Sequence, residues 1–111
     1  VGAIIGALLA DGRHPAEIRE IFDKEKNFSL VKFKWKAPGL LGSGGLRAAI
    51  KRQLRAKNFE ELQTPLWVAA TDLGNGSTRY FHEGEILTPL LASSAIPLLF
   101  EPVRYLNRQF V

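Results

Sequence analysis

The opening stretch, Val1-Gly2-Ala3-Ile4-Ile5-Gly6-Ala7-Leu8-Leu9-Ala10, constrains this chain more than any other. Its bulky residues Val1, Ile4, Ile5, Leu8 and Leu9 recur at the spacing of one helical face, while Gly2, Ala3, Gly6, Ala7 and Ala10 leave the rest of the surface almost free of bulk. Neither face suits water, so the helix is expected to be buried on both. Gly2 and Gly6 each cost about 1 kcal/mol against Ala in a helix, which implies that backbone lies close to backbone there. The apolar run stops at Asp11, well short of the roughly 20 residues that a membrane span needs. Gly12 suits the left-handed position that closes a helix. No Ser, Thr, Asp or Asn stands before Val1 to cap the start, and the chain has no Met. The expectation is a segment cut from a longer parent.

With 111 residues, 46% of them hydrophobic and 23% charged, the chain suits one ordinary globular unit with a modest core. The absence of Cys excludes a disulfide framework and a Cys-type zinc site, and two isolated histidines cannot build a His-rich cluster, so no metal and no cofactor is expected. No secretory signal pattern opens the segment, and a reducing cytoplasm fits a Cys-free chain easily. The net charge of +4 and a pI near 9.7 admit an acidic partner. Lys32, Lys34 and Lys36 alternate with Val31, Phe33 and Trp35, as in an extended segment with one basic and one apolar face. Arg47, Lys51 and Arg55 line one side of a helix whose Leu46, Ile50 and Leu54 line another. Such rows read first as solvated faces and second as an anionic lipid surface. Nucleic acid is disfavoured, because no recognised nucleic-acid motif accompanies the charge.

Along the rest of the chain, Pro15 and Glu17 open a second helix over 15–26 with Ile18, Ile21 and Phe22 as its apolar stripe. His14 sits in the turn before it and reads as a surface or capping residue rather than a base. The alternating segment 27–36 is either a strand or an amphipathic lid that touches lipid, and Ala37-Pro38-Gly39 breaks it. The glycine-rich run 39–45 fails as a phosphate loop for want of Gly-Lys-Ser/Thr, and reads as an entry with Ser43 capping a helix over 44–57. Asn58 and Glu61 form a capped turn. Residues 66–70 are an uninterrupted apolar run, read as a strand buried on both faces. Asn75-Gly76 signals a type I′ hairpin into 77–82. Asp72, at the strand end, reads as a turn cap before a catalytic acid. A helix over 85–94 is limited by Pro89. Ser93 and Ser94 lack a Gly-x-Ser-x-Gly setting and read as structural. Residues 103–111 form a second hairpin.

Three blocks carry a family resemblance: 1–12 continuing into Pro15-Ala16-Glu17-Ile18; Thr64-Pro65-Leu66-Trp67-Val68-Ala69-Ala70-Thr71-Asp72-Leu73; and Ala92-Ser93-Ser94-Ala95-Ile96-Pro97-Leu98-Leu99-Phe100-Glu101-Pro102-Val103. They resemble patatin-like phospholipases, in which G-x-S-x-G-A-I-x-G-A-L runs from a strand into a buried helix. Residues 39–46 also resemble the family's segment that opens a helix, and 27–37 matches it least. The resemblance implies an α/β chain, part of a three-layer α/β/α fold with a mixed sheet and helices on both faces. It divides the chain into an elbow helix (1–12), a helical and basic segment (13–57) and a strand-hairpin-helix-hairpin unit (64–111). It also implies a lipid acyl hydrolase with a Ser-Asp dyad. The serine is expected just before Val1 and the aspartate just after Val111, with Val1 and Gly2 as elbow and oxyanion residues. Lipid esters and a membrane surface are the implied partners, in a cytoplasmic protein able to sit at a membrane. The 111-residue chain alone is expected to be inactive. Two other readings stay open: a basic lipid- or nucleic-acid-binding module, and a remnant whose parent has lost a dyad residue.

Overall fold

Helix α1 (Gly2–Ala10) forms from the small and aliphatic run as expected, and Gly12 adopts the left-handed conformation (φ +90°) just beyond it. The computed structural model describes residues 2–24, 44–94 and 103–111. Val1, the basic segment 27–36, the glycine run 39–43 with Ser43, and the 95–102 part of the third block lie outside the described residues.

Only one face of α1 is buried. Ile4, Ala7 and Leu8 pack toward helices α2 (Pro15–Lys24) and α4 (Leu87–Ser94). Ile5 and Leu9 point away, 37% and 45% exposed. The expectation of burial on both faces fails because the described elements cover a single side of the helix.

α2 starts as its sequence implies. Pro15 needs no N–H partner at the first helical position, His14 Nδ1 accepts the Ala16 N–H (3.3 Å), and Glu17 Oε1 accepts the His14 N–H (3.2 Å). His14 is thus a capping residue. Helix α3 (Gly44–Gln53) buries Leu46, Ala49 and Ile50 and packs on α4. It stops short of the expected residue 57. Leu54 makes the last helical bond, to Ile50, after which the amides of Arg55 and Ala56 turn to the Asp11 carboxylate. Arg55 is therefore not on the helix that carries Arg47 and Lys51.

A 3₁₀ turn (Phe59–Glu61) follows, with Glu61 Oε1 reaching back to the Asn58 N–H (3.0 Å) as predicted. Strands β1 (Val68–Thr71) and β2 (Thr78–Phe81) pair antiparallel, as do β3 (Val103–Tyr105) and β4 (Arg108–Phe110). The hairpins join edge to edge: Thr71 and Val111 exchange N–H···O bonds of 2.9 and 3.1 Å, and Leu73 N–H donates to Gln109 C=O (2.8 Å). Phe81 packs edge-on against Phe110 behind this seam. The architecture is mixed α/β. Val68 and Ala70 face α4 and are buried, whereas Ala69 and Thr71 are exposed, so β1 is open on the face where the apolar run implied burial. In the described residues no helix lies over that face.

The turn chemistry is also redistributed. Of Asn75 and Gly76 only Gly76 has positive φ, and the loop closes through Gly76 N–H to Asp72 C=O (2.8 Å), so it is not type I′. The I′ signature of two successive positive φ values falls instead on Leu106 (51°) and Asn107 (61°), between Tyr105 and Arg108. α4 begins at Leu87 rather than at Glu85, because Pro89 can occupy only the first turn. Glu85 accepts the Thr88 N–H and hydroxyl ahead of it.

Candidate functional site

The direction of α1 is set by two observations. Thr64 N–H donates to Ala10 C=O (3.1 Å), and a methyl group built on Gly6 would lie 3.5 Å from Leu66 Cδ1. The four helical steps from Gly6 to Ala10 rise about 6 Å and two residues of extended chain about 6.6 Å, so α1 runs alongside 64–66 in the opposite sense. Its N-terminal end therefore points toward the end of β1, where Thr71 is bonded to Val111. In α/β folds this end of a strand, with a helix N-terminus aimed at it, is where ligands gather.

Of the expected elbow residues, Val1 lies outside the described residues. Gly2 is exposed, and a methyl group built on it meets no atom within 4 Å. At Gly6 the nearest neighbour is a leucine side chain at ordinary van der Waals distance, not backbone.

Asp72 is 3% exposed at the end of β1, and both of its oxygens are engaged. Oδ1 accepts the Gly74 N–H (2.8 Å) and Oδ2 accepts Arg108 Nη1 (2.9 Å). Its backbone N–H donates to Ser77 C=O and its carbonyl accepts from Gly76 N–H, each at 2.8 Å. A methyl on Gly74 would approach Oδ1 to 3.2 Å, so the close turn depends on glycine. A general acid or base needs a free oxygen facing substrate, whereas both oxygens of Asp72 are taken and its side chain is 5% exposed. It ties the first hairpin to the second, as the turn-cap reading expects. With Arg104, Leu106 and Arg108 among others, it lines an open hollow of about 710 Å³.

The other nucleophile and base candidates fare alike. His14 caps α2, and the second histidine, His82, stacks on Trp67 with ring centroids 4.1 Å apart. Ser94 is buried with no hydrogen-bond partner for Oγ among the described residues, and Ser93 is half-buried. Among the described residues neither is bonded to a base.

Two residues gain roles that sequence reasoning missed. Asp11, 4% exposed, accepts the Arg55 N–H (2.6 Å) and the Ala56 N–H (3.3 Å), and so clamps the end of α3 to the end of α1. Its signal was available: a carboxylate at a helix C-terminus opposes the dipole and must find donors elsewhere. Arg13 Nη2 donates to Gln53 C=O (3.0 Å), at the negative end of α3 where a cation is favoured. Two carboxylates, one of them bonded to Arg13, have displaced titration. Glu17 is held below the usual range by the His14 N–H and by Arg13, and Glu60 by the Gly84 N–H.

A family model described as Patatin-like phospholipase matches residues 1–111.

Proposed function

This chain belongs to the patatin-like phospholipase family, and on that premise we propose that it is the scaffold between the two reactive side chains of a lipid acyl hydrolase. A serine directly before Val1 is the nucleophile, and an aspartate directly after Val111 takes its proton. No histidine takes part. The Oγ then attacks the acyl carbonyl of a lipid ester, the ester C–O bond breaks as the aspartate passes the proton to the departing alcohol, and water, deprotonated by the same carboxylate, releases the acyl group as the serine regains its proton. The Val1 N–H, at the positive end of α1, supports the oxyanion, and one such donor is worth about 3–4 kcal/mol of barrier. Substrates are lipid esters at a membrane surface, and the protein works in the cytoplasm.

The observation that supports this reading is the antiparallel course of α1 beside 64–66, which turns its N-terminal end toward the strand whose last residue, Thr71, pairs with Val111. Among the described residues no helix is long and apolar enough to cross a membrane.

The test begins with the coding sequence on either side. Gly-x-Ser ahead of Val1 and Asp-Gly after Val111 are expected, and the protein carrying both should hydrolyse a p-nitrophenyl ester. Replacement of that serine by Ala should abolish turnover, and the bare 111-residue chain should show none. Other flanking residues, or turnover by the bare chain, overturn the assignment.

A further inference from the structure

Four cations that the hydrolase reading leaves unused surround one groove. Arg47 and Lys51 stand on α3, Arg55 and Lys57 on the segment just after it, and the groove between them and Glu85 has a volume of about 410 Å³. All four side chains are exposed, and among the described residues none forms an ion pair. The carboxylate facing them, Glu85, is occupied by the Thr88 N–H and hydroxyl. Four positive charges thus face one engaged negative charge. Arg55 is also within electrostatic range of Glu17 on α2.

The wall is built to stay in place. Asp11 holds the Arg55 and Ala56 amides, Arg13 holds the Gln53 carbonyl, and Ile86 N–H donates to Lys57 C=O (3.0 Å). The cations are therefore mounted on backbone fixed by a buried carboxylate, not on a loose loop. Between them the lining is aliphatic, with half-buried Leu54 and Leu87 in the groove.

We propose that this groove binds the phosphate-bearing headgroup of an anionic phospholipid and docks the protein on a negatively charged bilayer. The choice of a lipid over another anion rests on the hydrolase reading above, which this deepens by naming the surface that meets the membrane. Cations around an aliphatic seat match a charged headgroup joined to its glycerol and acyl chains. Single-stranded nucleic acid calls for aromatic stacking platforms beside the charge, and no aromatic residue lines the groove.

The experiment uses the whole protein that contains this segment. Co-sedimentation is measured with vesicles of phosphatidylcholine alone and with vesicles containing an equal part of phosphatidylglycerol. Binding should require phosphatidylglycerol and fall with added salt. The double variant Lys51→Gln/Arg55→Gln should lower the partition coefficient about thirty-fold, or about five-fold per charge. The charge-keeping Lys51→Arg/Arg55→Lys variant should bind like the parent, and so should Arg19→Gln on α2. Turnover of a soluble p-nitrophenyl ester, measured alongside, reports on the hydrolase reading and on folding independently of vesicle binding. Equal binding to both vesicles, or undiminished binding by the Gln pair, overturns the proposal. So does displacement from vesicles by an oligonucleotide whose own binding the Gln pair abolishes.

Discussion

Replacing Asp11 by Ala tests whether the end of α1 is held by the clamp. The carboxylate is 4% exposed and accepts two backbone N–H groups, a short bond from Arg55 (2.6 Å) and a longer one from Ala56 (3.3 Å), itself a buried residue. An amide left buried without an acceptor costs about 1–3 kcal/mol. The Arg55 amide belongs in the middle of that range, because its bond is short and charge-assisted but only part-buried, and the Ala56 amide, with the longer bond, near the bottom. The sum is about 3 kcal/mol, a large share of the roughly 5–15 kcal/mol that holds a domain together. Asp11→Asn keeps one carbonyl oxygen, so it serves one amide and turns an NH₂ toward the other; it should lose about half as much. Urea denaturation of the protein carrying this segment, with a slope of about 2 kcal/mol per molar, then shows midpoints lowered by roughly 1.5 M for Ala and 0.8 M for Asn. Amide exchange supplies a local readout. The Arg55 and Ala56 N–H groups should exchange faster in Asp11→Ala, while those of β1 and β2 keep their order of protection. A midpoint for Asp11→Ala within about 0.2 M of the parent, with those amides still protected, refutes the clamp.

Four further outcomes follow from the same geometry. Asp72→Asn keeps an acceptor for the Gly74 N–H, so kcat for a soluble ester should stay of the same order, where loss of a general acid or base would cost about 10²–10⁴-fold. Arg108→Ala should lower stability by about 1–2 kcal/mol in a chemical-denaturation series, because it strands the Asp72 charge; the guanidinium side chain is 50% exposed, which keeps the loss below that of a fully buried pair. Leu106→Asn should raise stability by about 0.5–1 kcal/mol in the same series, since the leucine is 56% exposed and sits at φ 51°. As for pH, Glu17 and Glu60 titrate below their ordinary value, so the unfolded chain binds protons first and stability rises with pH in that range. Their contribution is complete above the usual carboxylate range and vanishes as the pH falls through the lowered values. Glu17→Gln and Glu60→Gln should therefore flatten the acid limb of a stability–pH curve and leave neutral pH dependence unchanged.

Local pattern alone determined much of this chain. The helix at the start, the Pro15 entry with its His14 cap, the reach-back of Glu61, the second hairpin and the turn role of Asp72 all depend on neighbours within a few residues, and those interactions are legible from spacing and side-chain chemistry. The family, too, was legible, because its blocks are short runs of consecutive residues. What pattern could not determine was which faces are covered. Ile5, Leu9, Trp67 and Ala69 read as core by hydropathy, yet burial depends on whether another element arrives, and among the described residues none covers them. The length of α3 was likewise set from afar, since its amides past residue 54 are claimed by a carboxylate some forty positions earlier. The Asn75-Gly76 loop closes instead through Gly76 N–H to Asp72 C=O, with Asp72 also held by Arg108 of the second hairpin, while the two positive φ values of an I′ turn fall on Leu106-Asn107. Spacing had already grouped Arg55 with Arg47 and Lys51, but only the fold brings Lys57 round the same groove. In each case a partner distant in sequence, at a distance only packing can close, overrode the local preference.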